Sequence, residues 1–163
     1  MSLNDYEIEL LANVEEHGWH ATYVFDPNGK DPSFAYSSGF TMSLNKPEFI
    51  VFGLSNDLMH SMLWEIYRQL EAGAFPDDGM KWYDLLGGGV ECFSKKATHP
   101  DLFKEYTLSA EWLWKHQRRE GHPEIYQMVW PGAQQGLFPW EKDCDPYVIT
   151  QQPALWDNSA KLK

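Results

Sequence analysis

The chain has 163 residues, of which 43% are hydrophobic and 15% aromatic, a composition that excludes an intrinsically disordered protein. A chain of this length is expected to fold as one domain and to bury roughly two-thirds of its unfolded surface. Its 24 acidic and 13 basic residues give a formal net charge of −11. This charge disfavours nucleic acid as a partner, because affinity for a phosphate backbone comes largely from Lys and Arg.

The N-terminal region and the cysteines bear on the cellular location. The first eleven residues lack the basic region and apolar run of an export signal, and no stretch of about 18 apolar residues occurs. Cys92 and Cys144 are the only cysteines, too few for a disulfide framework or a four-ligand zinc site. We therefore expect a cytoplasmic protein without a membrane span.

The first 40 residues predict a helix followed by a strand hairpin. Asn4 and Glu7 form a capping pair, and apolar residues continue at helical spacing as far as Gly18. From residue 19 the period changes to two, which predicts a strand. Its two faces hold alternate residues: Trp19, Ala21, Tyr23 and Phe25 on one, and His20, Thr22 and Val24 on the other. A turn-rich segment at 26–32 and a second alternating run at 34–40 complete the hairpin.

The middle of the chain predicts a central strand and a long helix. Residues 48–54 form a nearly continuous apolar run, which is typical of a strand covered on both faces. Ser55 can cap the next helix, whose apolar stripe runs from Leu58 to Leu70 and ends at Gly73. Residues 74–89 are predicted to be mostly loop, with a short strand at 81–86 that pairs with 90–93.

The last third predicts one more helix and a second hairpin. The helix covers 108–120, and the hairpin joins a strand at 125–130 to an edge piece at 137–141, where Pro139 would remove a ladder hydrogen bond. We expect a single α+β domain over residues 1–156, with a frayed tail at 157–163. Its sheet should be mixed or antiparallel, with about five strands and with helices packed mainly on one face.

Four motifs follow one another along the chain: Gly18-Trp-His20, Phe34-Ala-Tyr-Ser-Ser-Gly-Phe40, Pro47-Glu-Phe-Ile-Val-Phe-Gly-Leu54, and Gln127-Met-Val-Trp-Pro131 with Gly136-Leu-Phe-Pro-Trp-Glu141. In this order they resemble the bacterial family catalogued as domain of unknown function 4262, over roughly residues 5 to 150. The resemblance implies a small α+β domain in a bacterial cytoplasm. Family members often carry His where this chain has Lys46 and Asp where it has Gly132, so no mechanism based on those two side chains is implied.

Side chains in several of these motifs are candidate binding residues. They are His20, Tyr36, Ser38, Glu48, Trp130, Phe138, Trp140 and Glu141. The aromatic residues of the last motif, with two prolines, could form a rigid surface of the kind that fills pockets at interfaces. The alternative is that these rings simply close the core, and that Glu141 is an ordinary edge charge.

The histidines and hydroxyls of the chain could serve metal binding or acid–base chemistry. His17 and His20 would need a third metal ligand such as Asp26, Glu48 or His60, and we predict no metal site. Strand pairing could bring Tyr36, Ser37, Ser38 and Glu48 near His20 for acid–base work, but neither serine has the Gly-x-Ser-x-Gly context of a nucleophile.

Neither the glycine triplet at 87–89 nor Cys92 adds a catalytic motif. The triplet lacks the Lys-Ser or Lys-Thr that follows a phosphate-binding loop. Cys92 lies beside Glu91, which would raise the pKa of the thiol rather than lower it.

Two hypotheses of different class remain for the function. The favoured one is a binding or protein-interaction module, with an immunity-like protein as one form. The alternative is a small-molecule enzyme or cofactor binder with an aromatic-lined pocket around Tyr36, His20 and Trp130. The sequence assigns neither an enzymatic reaction nor a cofactor.

Overall fold

The structure is a computed structural model, and it describes residues 2–162. Its strands are β1 (His20–Val24), β2 (Phe34–Ser38), β3 (Glu48–Phe52), β4 (Met80–Trp82), β5 (Cys92–Lys96) and β6 (Ile125–Val129). Its helices are α1 (Asp5–His17), α2 (Phe40–Ser43), α3 (Asn56–Glu71), α4 (Leu108–His116) and α5 (Pro146–Gln151), and a π-helical turn covers Leu102–Tyr106.

All six strands form one open sheet in the order β1-β2-β3-β6-β5-β4. Neighbours pair antiparallel except β3 and β6, which are parallel and lie at the centre. The predicted α+β class is confirmed. Of the two sheet types expected, mixed or antiparallel, the mixed one is present, with six strands rather than about five. Strands β1 and β4 are the two edges of the sheet.

The helices lie on both faces of the sheet, where we expected them mainly on one. Helix α3 covers the face that carries Ala35, Phe49 and Val51, and its buried side chains belong to the same core cluster. The alternate residues of the same strands face the π-helical turn and α4 in a second cluster, which includes Phe34 and Tyr36. Complete burial of β2 and β3 follows from this double cover.

Some predicted elements are shorter than expected or differ in kind. Residues 137–141 form turns instead of a strand, because Pro139 has no N–H for a ladder and the Glu141 N–H bonds the Phe138 carbonyl at 2.9 Å. The prediction of a second hairpin, between 125–130 and 137–141, was therefore wrong. The helix expected at 108–120 ends at His116, and the paired strands expected at 81–86 and 90–93 are β4 and β5.

Gly18 fixes the junction between α1 and β1. It has φ of +90°, and a Cβ atom there would overlap the Tyr67 hydroxyl. Only glycine accepts both the left-handed backbone and this close approach. The chain therefore turns sharply at this residue, which places Trp19 and His20 beside the end of α1.

The segment expected to fray contacts the rest of the fold as far as it is described. The Ala160 carbonyl lies 2.8 Å from His99 Nε2, and Leu162 packs against the second core cluster. Lys163 lies outside the described residues. Over residues 2–162, none of the helices has the length and apolar character required to cross a membrane.

Candidate functional site

A cleft of about 620 Å³ runs along the outer edge of β1. Five consecutive residues, 19–23, line its floor, and side chains of α1 and α3 form its two rims. Because β1 is an edge strand, the cleft lies where the sheet has no neighbouring strand. It combines aromatic walls with a few polar groups, the usual composition of a ligand site.

The α1 rim consists of side chains spaced by three or four residues: Tyr6, Glu9, Asn13 and His17. This spacing places them on one face of the helix. The Tyr6 hydroxyl lies 2.7 Å from Thr22 Oγ1, and its ring meets that of His20 edge to face at 5.5 Å. The rim is thereby held against the face of β1 that carries His20 and Thr22.

The α3 rim consists of His60 and Trp64, one helical turn apart. Trp19 meets Trp64 edge to face at 5.1 Å, and the hydroxyl of Tyr23 bonds His60 Nδ1. His17 meets Trp64 edge to face at 6.3 Å, which closes one end of the cleft. The opposite face of β1 is therefore lined by aromatic rings.

Two of the side chains that line the cleft each carry a fully buried polar atom without a hydrogen-bond partner within residues 2–162: Trp19 Nε1 and His20 Nε2. Their side chains are 3% and 7% exposed, so nearly all of each ring is removed from solvent. An unpaired buried N–H costs about 1–3 kcal/mol, and such groups are rare in folded proteins. Trp19 and His20 are therefore the strongest indication of a ligand at this place.

The His20 ring is oriented by Asn13, whose Nδ2 lies 2.9 Å from His20 Nδ1. When the amide nitrogen donates to Nδ1, the ring proton lies on Nε2, which is then an unpaired donor. Burial lowers the pKa of His20, while the charge of Glu9 acts in the opposite direction. The imidazole is consequently neutral at physiological pH.

Ser38 is the direct partner of His20 across the β1–β2 pair. Residues in this relation have Cβ atoms about 5 Å apart and point to the same side of the sheet. Ser38 Oγ is also buried without a partner among the described residues. Three of the four atoms of this kind in residues 2–162 therefore belong to Trp19, His20 and Ser38.

Glu48 lies apart from the cleft and organises the backbone after β2. Its carboxylate accepts hydrogen bonds from Ser37 Oγ, from the N–H groups of Gly39, Phe40 and Thr41, and from Thr41 Oγ1, at 2.7–3.3 Å. Burial raises the pKa of Glu48, and these hydrogen bonds counteract that effect. The arrangement caps the short helix α2, so its visible role is to hold the chain in place.

Tyr36 and Trp130 are buried and do not line the cleft, although Tyr36 is the direct partner of Thr22 in the β1–β2 pair. The Tyr36 hydroxyl accepts a hydrogen bond from the Ser109 N–H at 3.0 Å, on the face covered by α4. Trp130 Nε1 donates to the Phe52 carbonyl at 2.7 Å. The pocket expected around Tyr36, His20 and Trp130 is not formed, because neither Tyr36 nor Trp130 lines the cleft beside β1.

Trp140 is the partly exposed aromatic residue of the last motif, in which Trp130 and Phe138 are buried. Its ring stacks on the buried Phe138 at 5.1 Å with an interplanar angle of 7°, and 44% of the residue is exposed. Lys95 Nζ lies 5.2 Å from the ring centroid. Glu141 accepts a hydrogen bond from the Phe138 N–H at 3.0 Å, so it fixes the turn that presents Trp140.

No group of three or more His, Cys, Asp or Glu side chains within residues 2–162 is arranged to hold a metal ion. His17, His20 and His60 line one cleft, but they do not form such a group. Burial raises the pKa of Cys92 to about 12, so this thiol is protonated at neutral pH. A thiolate nucleophile at Cys92 is therefore not part of the site.

A smaller apolar pocket of about 280 Å³ lies beside Phe34, Phe52 and Tyr106. None of the residues that line it carries one of the unpaired buried side-chain atoms found in the described chain. The cleft beside β1 is the better candidate for a specific ligand, because unpaired donors there would gain partners on binding.

Most of the α1 and α3 rim was missed from sequence. Tyr6, Glu9, Asn13 and His17 form a stripe at spacings of three, four and four, which could have indicated a polar helix face directed to one site. His60 and Trp64 are likewise four residues apart. What no sequence pattern indicated was that β1 is an edge strand lying between both helices.

The protein is an α+β domain with an open mixed sheet and a candidate binding cleft at one edge of that sheet. A family model described as "Domain of unknown function (DUF4262)" matches residues 13–145. The chain belongs to this family, as the order of its motifs indicated. No curated protein and no solved structure matches the chain.

Proposed function

We propose that this protein is a binding module and that the cleft beside β1 holds its ligand. The observation that carries the proposal is the pair of buried, unpaired ring nitrogens, Trp19 Nε1 and His20 Nε2, which belong to two residues that line one cleft. A ligand with acceptor oxygens would pair these donors once a small rotation of the rings exposes them, and would remove the cost of leaving them unsatisfied.

The walls indicate what else such a ligand carries. Trp64, Tyr23 and His60 offer ring surfaces on one side, which suit a planar or apolar group. The carboxylate of Glu9 on the other side suits a donor or a positive charge. A ligand with a carbonyl or carboxylate, an apolar group and a donor meets all three requirements.

A fragment library tests this proposal. Compounds of this description are screened by ligand-observed NMR, and the affinities of the hits are measured by calorimetry on the parent protein and on Trp19→Phe. The variant keeps an aromatic ring in the core but removes the Nε1–H donor. We expect its affinity for the hits to fall about tenfold, the loss of one well-placed hydrogen bond.

Trp140→Phe is the matched control, because it removes an indole N–H outside the cleft. Its affinity for the same compounds should equal that of the parent. Hits that bind Trp19→Phe as tightly as the parent, or an exhaustive screen without hits, would contradict the proposal. Circular dichroism of both variants confirms that each retains the fold.

An interaction with a protein through the Trp140 surface is a second candidate, and the half-exposed stacked ring favours it. With a net charge of −11, the chain complements a basic partner, as an immunity-like protein would. A pull-down with Trp140→Ala as control tests it. Equal recovery of the same partner by parent and folded variant would remove this surface from consideration.

An enzymatic alternative would use the same cleft rather than the region around Trp130. Neutral His20 is the group available to exchange a proton with a bound small molecule. Turnover of any cleft ligand that is lost in His20→Gln while binding is retained would favour this alternative.

A further inference from the structure

The outer edge of β1 is unpaired, and this gives the cleft a second set of binding groups. Strand β1 pairs only with β2, and within residues 2–162 no other hydrogen bond is made by its backbone. In an antiparallel pair, alternate residues direct their N–H and C=O groups away from the partner strand. Those of β1 therefore point into the cleft.

We infer that the occupant of the cleft is an extended peptide segment, which adds to β1 as a further strand of the sheet. This inference rests on the proposed binding function and names its ligand class. The floor is formed by five consecutive residues, 19–23, a length of roughly 17 Å at the rise of a β-strand. Main-chain hydrogen bonds along that length would supply affinity, and the side-chain pockets specificity.

The two rims differ in chemistry, and they match the alternation of a strand. Trp19 and Tyr23 face the aromatic α3 rim, whereas His20 and Thr22 face the polar α1 rim. Successive side chains of an added strand would meet these rims in turn. The peptide should therefore alternate apolar residues toward Trp64 with polar residues toward Glu9.

Charge decides what those polar residues are. The chain has a net charge of −11, and Glu9 lies on the rim that they would meet. His20 adds no fixed positive charge to the cleft, since burial lowers its pKa. Lysine or arginine at the polar positions would complement the site and would speed association.

A second copy of the chain fits this edge less well than a peptide. Helices α1 and α3 line the cleft on either side of β1. The β1 strand of a second copy would bring its own two helices into the same space, and two bodies of charge −11 would repel each other. A single extended segment from another protein meets neither obstacle.

The probe for this inference is a displayed library of random linear decapeptides, selected on the full-length chain. Enriched peptides are synthesised with a fluorescent label, and their affinity is measured by anisotropy. We expect them to alternate apolar with basic residues. N-methylation of alternate peptide bonds keeps every side chain but removes strand donors, and in one of the two registers it should weaken binding at least tenfold.

Glu9→Lys and Glu15→Lys provide matched variants, since both residues are exposed on α1 but only Glu9 lines the cleft. We expect Glu9→Lys to weaken binding of the basic peptides at least fivefold and Glu15→Lys to leave it unchanged. Binding that tolerates N-methylation in both registers, or that responds equally to both variants, would overturn the inference. So would a concentration-dependent dimer that Glu9→Lys alters, because it would make a second copy the occupant.

The failure of this inference is distinguishable from the failure of the proposed function. If small compounds bind in a manner that depends on Trp19 while no selected peptide binds along β1, the cleft is a small-molecule site and the peptide inference is wrong. If neither compounds nor peptides respond to changes in the cleft, both are wrong.

Discussion

Replacement of Glu48 by Gln tests whether the buried carboxylate is needed in its ionised form. All five groups that contact it act as donors toward it: three backbone N–H groups and the hydroxyls of Ser37 and Thr41. A glutamine offers one acceptor oxygen, so its amide group must face at least one backbone N–H and leave it unpaired.

The cost follows from the hydrogen bonds lost. One unpaired buried N–H costs about 1–3 kcal/mol, and the remaining bonds weaken because they no longer involve a charge. Relief of the buried charge offsets part of this loss. We expect Glu48→Gln to lower the free energy of unfolding by about 2–4 kcal/mol at pH 7.

Urea denaturation followed by tryptophan fluorescence measures this change, with Glu15→Gln as the control. Glu15 is exposed on α1, so its variant should unfold at the same urea concentration as the parent. A Glu48→Gln protein as stable as the parent would contradict a structural need for the ionised carboxylate. It would mean that Glu48 is protonated and that one of the five donors is not needed.

Three further predictions concern the backbone, a thiol and a histidine. In urea denaturation, Gly39→Ala should destabilise the protein by at least about 2 kcal/mol more than Gly136→Ala. Both glycines have positive φ, but a Cβ atom at residue 39 would lie 2.9 Å from the Trp19 Cα atom, whereas a Cβ atom at residue 136 would have no atom within 4 Å. Equal effects of the two substitutions would contradict this prediction. Cys92, with its pKa raised by burial to about 12, should resist a thiol reagent at pH 8 until the protein is unfolded, and rapid labelling of the native protein would show the site to be open. Because burial lowers the pKa of His20, the unfolded chain takes up a proton at a higher pH than the folded chain, so the free energy of unfolding should fall as the pH drops below about 6.5. His20→Gln should reduce this fall. A variant with the same pH dependence of stability as the parent would contradict the prediction.

The spacing of apolar residues along the chain predicted the main helices and strands well, because the residues that repeat in each pattern are the ones that the fold buries. The alternation from residue 19 became β1, the apolar run from residue 48 became β3, and the stripe from Leu58 to Leu70 became α3. In each case one side of the element, or both, is covered by another layer. Residues 137–141 form turns where a strand was expected. The aromatic residues there favour a strand, but Pro139 has no N–H to donate to a strand ladder.

The candidate site depended on tertiary placement and was only partly predictable. His20 and Ser38 could be named because strand pairing brings them together, as the register of β1 and β2 confirms. Tyr36 faces the same side of the sheet as His20, but α4 covers it and its hydroxyl accepts from the Ser109 N–H. Trp130 is buried with its indole N–H bonded to the Phe52 carbonyl, so neither side chain lines the cleft. Strand order, which makes β1 an edge, is fixed by contacts between distant parts of the chain, and no local pattern records it.

The most direct test of the account is an NMR titration that follows the indole N–H signals of the ¹⁵N-labelled protein while the tightest cleft ligand is added. We predict that the Trp19 signal and the backbone amides of β1 shift in a saturable manner, while the Trp140 signal stays in place. Saturable shifts at Trp140 with no change at Trp19 would contradict the assignment of the cleft as the binding site.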